Sequence, residues 1–251
     1  MIAKALKDAA VRAGLFPNIV FTLNPFKIFE FDEVLKGLKL AGSEVVLDIG
    51  SGNGLQTMLL AKKCGRIVGI DLNGDYVASS SRRADYMSRV LKNPSNIEFR
   101  RTTVEDAGFP PDSFDAVVSI CVLEHIADYA GTLRECRRVL KKGGRLVISA
   151  DSLGGIKDAK LLEKHRKDHF VEQYFTKDGL RKVLEDAGFS DVSVYPIFRS
   201  GYSKNLFAGG IRDGFRYGML SLLPLYIRIS LAERMFRGDG DGIFLIAVCR
   251  K

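Results

Sequence analysis

The chain has 251 residues, 46% hydrophobic and 27% charged, which is long enough to bury a sizeable core and too apolar for a disordered or fibrous protein. Its four cysteines form no CxxC pair, which excludes a zinc knuckle or disulfide framework and suits a reduced, cytoplasmic interior; no apolar run approaches the roughly 18 residues of a membrane span. A formal net charge of +8 suits an acidic partner without choosing between nucleic acid, anionic lipid and acidic substrate.

The N-terminal stretch MIAKALKDAAVRAGLF alternates charged with apolar residues and lacks the apolar centre of a signal peptide; Ile2, Leu6 and Val11 beside Lys4, Lys7 and Arg12 predict a helix. Ile28, Phe31, Leu35 and Leu38 then fall at helical spacing, so a second helix packs over whatever follows, and residues 1–40 read as a helical extension. Apolar runs rich in Val and Ile, bounded by turn residues, recur at 44–50, 66–71, 96–101, 114–120, 145–150, 191–196 and 242–249 and predict seven strands. Helical spacing lies between the first five, at Leu55–Cys64, Asp75–Leu91 and Asp128–Leu140. Strands alternating with helices predict right-handed crossovers and a doubly wound α/β sheet in a single domain, 1–251.

Helix ends are marked by their residues. RRVLKKGGRLV places basic side chains in a last turn, with Gly143 and Gly144 expected to stop the helix, and the helix after Thr176 is expected to end at Gly188. Between the sixth and seventh strands lie about 45 residues where a connection of about 2–6 would serve, so an insertion is built over about 197–242.

The chemistry concentrates after the first strand. In VVLDIGSGNG, Gly50, Gly52 and Gly54 sit at a strand-to-helix turn, where glycine admits positive φ and lets a ligand approach the backbone. The spacing is not the dinucleotide G-x-G-x-x-G, since Leu55 stands where its third glycine would be, and Asp48 would repel a pyrophosphate. A ligand carrying an amine or sulfonium fits better, and Asp71, ending the second strand, can accept both hydroxyls of a ribose.

Four ordered stretches now bear on the family: VLDIGSGNG, VGIDLN, FPPDSFDAVVSICVLEHIADY and LRECRRVLKKGGRLVIS. Together they resemble the class I S-adenosylmethionine-dependent methyltransferases of small-molecule type, over about Glu44–Gly144. The resemblance implies a Rossmann-like seven-stranded sheet, mostly parallel with an antiparallel last strand, and S-adenosylmethionine as cofactor. It places Asp48, Gly50, Ser51 and Gly52 at the methionine end of the cofactor, Asp71 on the ribose, Leu72 against the adenine, and Ile120 and Cys121 beside the sulfonium. Near the adenine the family has an acid after a glycine, then a small and a polar residue; Thr103 departs from that pattern, and Val104 and Glu105 are the candidates there.

Methyl transfer from a sulfonium needs alignment more than acid catalysis, and a base only where the acceptor must lose a proton. His125 lies just past the fourth strand, at the edge where such sheets bind ligands, and is the candidate base; its alternative is a residue that caps the loop or simply touches the cofactor. His165 and His169 are four apart on one helix face, but with no H-E-x-x-H pattern or acid cluster they read as a solvated or acceptor-facing pair, and no metal is expected. HFVEQYFT resembles the loop leading to the acceptor in small-molecule methyltransferases, which places His169 and Tyr174 on the substrate side.

The insertion should indicate the acceptor. Between Arg199 and Arg237 stand seven Lys or Arg against two acids, among many leucines and isoleucines. As a helical hairpin it could cap the site, lie peripherally on an anionic membrane through 205–236, or pair with a second copy of the chain as a homodimer. The arginines are not interleaved with a stripe of aromatics, and SICV stands where amino-methylating nucleic-acid enzymes carry an N-P-P-Y type sequence, which argues against nucleic acid. The expected function is methyl transfer to a small-molecule acceptor, apolar or membrane-associated, at oxygen or carbon. The alternatives are a cofactor-binding protein without transferase activity and a methyltransferase acting on a macromolecule.

Overall fold

The computed structural model describes residues 9, 24–91, 95–215, 217, 219–238 and 240–251, so the helix expected across Ile2–Arg12 lies outside the described residues. All seven predicted strands form: β1 (Val45–Ile49), β2 (Arg66–Asp71), β3 (Ile97–Arg101), β4 (Phe114–Ile120), β5 (Leu140–Asp151), β6 (Ser190–Ile197) and β7 (Phe244–Arg250). They make one sheet in the order β3-β2-β1-β4-β5-β7-β6. The first five pair in parallel, and β7 runs antiparallel to both its neighbours. The central strands are buried on both faces, which is why they read as continuous apolar runs and not as alternation.

The sheet separates two layers. On one face α4 (Tyr129–Val139) and α6 (Lys177–Asp186) bury Leu133, Cys136, Leu180 and Leu184 against Leu47, Val117 and Leu146. On the other, α1 (Pro25–Leu38) lays Phe26, Phe31, Val34 and Leu38 over Val46, Val118 and Val147. α1 starts where Asn24 accepts from the Phe26 N–H at 3.0 Å, with Pro25 in the first turn. Gly37 lets it approach the sheet closely, since a Cβ there would lie 2.8 Å from Val248.

Two expected helix ends move. α2 (Leu55–Leu60) stops short of Cys64 because the Asn96 side-chain amide donates to the carbonyls of Ala61 and Cys64, at 2.9 and 3.1 Å. α4 ends at Val139, one residue before the expected Leu140, and the two glycines have no part in stopping it: Leu140 turns extended, is fully buried and pairs with Phe114. Gly143 and Gly144 therefore lie inside β5, where both bond the backbone of Lys251. The Thr176 cap forms, accepting from the Gly179 N–H at 3.1 Å, and Gly188 follows α6 at φ +87°.

Between β2 and β3 runs α3 (Gly74–Leu91), and between β5 and α6 lies α5 (Ala159–His169). The insertion holds two helices, α7 (Gly201–Asp213) and α8 (Met219–Met235). Phe207 of α7 meets Phe26 and Phe244 edge-on at 5.2 and 5.4 Å, and Tyr226 of α8 donates to Asp32 of α1 at 2.7 Å. Glu233, buried on α8, accepts from the N–H groups of Arg199 and Ser200 and from the Ser203 hydroxyl, tying the end of α8 to the start of α7. Among the described residues no helix is long and apolar enough to cross a membrane.

Candidate active site

The glycine loop is held by the neighbouring strand. The N–H groups of Gly50 and Ser51 both donate to the Ile70 carbonyl, at 2.8 and 2.9 Å, which folds the turn back over the end of β2. Gly50 has φ +71°, and a Cβ there would lie 2.3 Å from Val122, so no other residue fits. Gly52, at φ +51°, is the reverse case: a Cβ would meet nothing nearer than the Gly50 carbonyl at 4.0 Å and would project into open space.

Asp71 joins this loop to the next. One of its carboxylate oxygens accepts from the Gly52 N–H and the other from the Asn73 N–H, both at 2.8 Å. Leu72 beside it is 66% exposed, a bare apolar surface at the lip of the loop. Below, Asp48 is buried and accepts from the Thr57 hydroxyl at 2.6 Å. Burial pushes its carboxyl up to about 7, with the Asp71 charge adding and the Thr57 hydrogen bond opposing. Among the described residues no cation pairs with Asp48, and the buried Ser51 hydroxyl has no hydrogen-bond partner.

The other expected residues are placed as follows. Val104 packs its side chain into the core at 1% exposure, and Glu105 accepts from Thr132 of α4 at 2.6 Å. Ile120 is buried at the end of β4, and Cys121 follows it at φ +50°. His125 stands exposed in the short 3-10 turn Leu123–His125, with Nδ1 3.1 Å from the Phe170 carbonyl. A carbonyl can only accept, so that contact puts the proton of the neutral ring on Nδ1 and leaves Nε2 as the basic nitrogen.

The histidine pair departs from a solvated arrangement. The rings of His165 and His169 lie 4.5 Å apart on α5, but His165 is buried, with Nδ1 3.1 Å from the Tyr174 hydroxyl and Nε2 3.6 Å from Asp151. Burial, then His169 and Lys27, lower its pKa to about 4, so the ring is neutral. His169 is exposed, and Tyr174 spends its hydroxyl on His165 and the Leu162 carbonyl.

Around Cys121 the structure assembles a polar cluster that sequence reasoning missed. Lys27 of α1 reaches the Cys121 sulfur and the Glu30 carboxylate, both at 2.9 Å; the thiol donates to Glu30 at 2.9 Å, and Ser149 of β5 donates to the same oxygen. Asp151 lies 3.8 Å from the thiol, and its N–H donates to Glu124. Burial, with Glu30 adding, pushes the thiol well above its usual range. Burial alone would lower Lys27, but Cys121, Glu30 and Asp151 outweigh it, and Lys27 stays an ammonium. Burial and the Asp151 charge raise Glu124 as well. Cys121, Glu124 and Asp151 offer ligand atoms within 4.8 Å of one another, the composition of a cation site, yet the Lys27 ammonium already serves as the cluster's cation. A signal was present in the sequence: Phe26, Glu30 and Val34 fall four apart on one face of α1, so Glu30 interrupts an apolar stripe.

Comparison with known proteins bears on this geometry directly. Residues 47–148 match the family model described as "Methyltransferase domain". Over that stretch the chain is similar to the methyltransferase family. S-adenosylmethionine is the cofactor that this resemblance implies. The chain is 35% identical over 128 residues to a ubiquinone biosynthesis O-methyltransferase of Xanthomonas oryzae pv. oryzae, covering 51% of this chain and 49% of the relative. The chain spans about half the length of the curated relatives it matches. By fold it is similar to phosphoethanolamine N-methyltransferase 2 of Haemonchus contortus in complex with S-adenosyl-L-methionine, with a TM-score of 0.63, 16% identity and coverage of 94% of this chain and 61% of that one. It is also similar to the [4+2]-cyclase SpnF, with a TM-score of 0.58, 20% identity and coverage of 88% and 79%. The methyltransferase family and the cyclase thus share a scaffold, and the scaffold alone does not name a reaction.

The loop fits that cofactor on its own terms. The open direction at Gly52, the unpartnered Ser51 hydroxyl, the cation-free Asp48 and the bare Leu72 side chain are the features a cationic nucleoside would cover.

Proposed function

We propose that the protein is an S-adenosylmethionine-dependent methyltransferase acting on a small molecule, apolar or membrane-associated, at oxygen or carbon. The observation that supports this most is the loop at 50–52, closed by Val122 beneath Gly50, open above Gly52 and joined by Asp71 to an exposed Leu72. In this reading Asp48, Gly50, Ser51 and Gly52 hold the methionine end, Asp71 the ribose hydroxyls, and Leu72 the adenine face, with Val104 and Glu105 along the adenine edge. Ile120 and Cys121 border the sulfonium. When bound, the cofactor supplies a methyl group activated for in-line displacement.

The chain's own part is to position the acceptor and, where the acceptor carries a proton, to take it. His125 is assigned as the base through Nε2, the nitrogen left unprotonated by the contact with Phe170. Lys27 keeps a positive charge beside Cys121, where an acceptor oxygen would gain from it; its side chain is 33% exposed and can be reached. His169 and Tyr174 form the wall on the acceptor side.

Titration calorimetry with S-adenosylmethionine, followed by transfer of a labelled methyl group into fractionated cell extract, tests the proposal. Label in the small-molecule or lipid fraction is the expected result. Label in protein or nucleic acid would instead make the acceptor a macromolecule. Binding without transfer to any fraction would leave a cofactor-binding protein with no transferase activity, and absence of binding would sink both readings.

A further inference from the structure

Helix α8 carries two apolar faces, and only one is covered. Ile229 is fully buried against the core, with Glu233 one turn on turned inward to its three donors. On the opposite side Leu223, Ile227, Leu231 and Met235 are 67%, 47%, 53% and 76% exposed. These four stand four residues apart, so at about 100° per residue they fan over about 120° of the helix. Among the described residues, the others exposed on or beside that arc are Pro224, Arg228 and Arg234, and no acid is among them.

An uncovered stripe of large aliphatic side chains over three turns is not an accident of a water-facing helix, where the exposed face is polar. With arginine as its only charge, it has the composition of a helix lying in a lipid interface. A second copy of the chain covers the stripe less well, because a two-fold pairing would bring Arg228 and Arg234 toward their own counterparts with no acid on the face to receive them. The helix also borders a cavity of about 540 Å³ against α1, lined beside Ile227 and Leu231 by Lys36, Arg199 and Arg234 and by Glu33 and Glu233, with Lys36 paired to Glu33. Arg228 and Arg234, both exposed beside the apolar stripe, are where an anionic headgroup would lie.

We infer that α8 docks the protein onto an anionic lipid bilayer, with Leu223, Ile227, Leu231 and Met235 in the acyl boundary and Arg228 and Arg234 at the phosphates. The helix lies on the membrane and does not cross it, in keeping with its length and charge. This deepens the membrane-associated part of the proposed function, and it uses none of the residues of the cofactor loop.

Sedimentation of the full chain with vesicles of phosphatidylcholine containing 30% phosphatidylglycerol, and with vesicles of phosphatidylcholine alone, is the test, at about 0.05 and 0.5 M salt. The protein should pellet with the anionic vesicles at low salt and be released at high salt. Arg228→Gln with Arg234→Gln should weaken that binding about thirtyfold, at roughly 1 kcal/mol per basic residue. Ile227→Ser with Leu231→Ser should weaken binding to the anionic vesicles at least about tenfold while leaving the protein folded, since both side chains are already exposed. No pelleting with either vesicle, or pelleting unchanged in the serine variant, overturns the inference. A dimer in sedimentation velocity that the serine variant dissociates also overturns it, in favour of a subunit interface. S-adenosylmethionine affinity measured on the same samples separates the two proposals: its absence in the native protein would sink the cofactor reading and leave the docking result intact.

Discussion

The cofactor loop and the α7–α8 insertion are built on different kinds of constraint. In the loop almost every determinant is local: three glycines at positive φ, a carboxylate two residues before them and another at the end of the adjacent strand. In α8 of the insertion most residues are apolar, on both sides of the helix, and what they do depends on which side meets the protein. A motif imposed by backbone sterics announces itself in sequence, whereas a helix that serves two environments does not.

The sharpest way to break this contrast is at Gly50. Gly50→Ala places a Cβ 2.3 Å from Val122 at a positive φ, costing roughly 1–2 kcal/mol in backbone strain and roughly 1–3 kcal/mol in overpacking. Urea denaturation should show that loss, and S-adenosylmethionine binding should fall below detection; retained affinity would mean that the turn is not part of the site. Ile229→Ala tests whether α8 is truly anchored. Deleting a fully buried side chain should cost roughly 2–5 kcal/mol in the same measurement, and a loss under about 0.5 kcal/mol would show the inner face to be loosely packed.

Asp71→Ala sharpens the loop itself. It frees the N–H groups of Gly52 and Asn73 and removes the acceptor for the ribose, so affinity for S-adenosylmethionine should drop about ten- to a hundredfold, with the far-ultraviolet circular dichroism spectrum unchanged. Unaltered affinity would move the ribose elsewhere.

Asp48 gives a pH signature. Its carboxyl is held up at about 7 by burial, above its value in the unfolded chain. Between the ordinary carboxylate range and about 7 the folded state keeps a proton that the unfolded chain has released, so this group's contribution to stability falls as pH rises through that window. Asp48→Asn should therefore melt progressively higher than the native protein as pH is raised toward 7 in the absence of cofactor. A melting-temperature gap that does not change with pH would contradict it. The smallest effect belongs to the outer face of α8, where Leu231→Ser should change unfolding free energy by no more than about 0.5 kcal/mol. The gap between that result and Ile229→Ala measures how unequal the two faces of one helix are.

Much of the scaffold was legible. The central strands were readable because strands buried on both faces are written as unbroken Val and Ile runs, the edge strands β3 and β6 because turn residues bound them, and the helix before β1 because its apolar residues recur at helical spacing. The start of β5 was not, because Gly143 and Gly144 signal a break between helix and strand locally while the burial of Leu140 against Phe114 starts the strand at once. In the candidate site, the glycines, Asp48 and Asp71 were legible as a motif. Lys27, Glu30 and Asp151 were not, because they meet Cys121 only through packing of α1 across the end of the sheet. His165 and His169 were read from their helical spacing as a solvated or acceptor-facing pair, and only the fold shows Tyr174 and Asp151 covering His165.

By itself, then, the sequence determined what short-range physics can write: strand and helix periodicity, the turn that only glycine can make, and the acids flanking it. The tertiary structure alone decided that Lys27 stands against a thiol 94 positions away, and that Leu223, Ile227, Leu231 and Met235 are the side of α8 left uncovered. The reason is the same in both cases. A backbone conformation is chosen by neighbours along the chain, but burial is chosen by whatever the topology brings alongside, and a helix apolar on both sides carries no mark of which side that is.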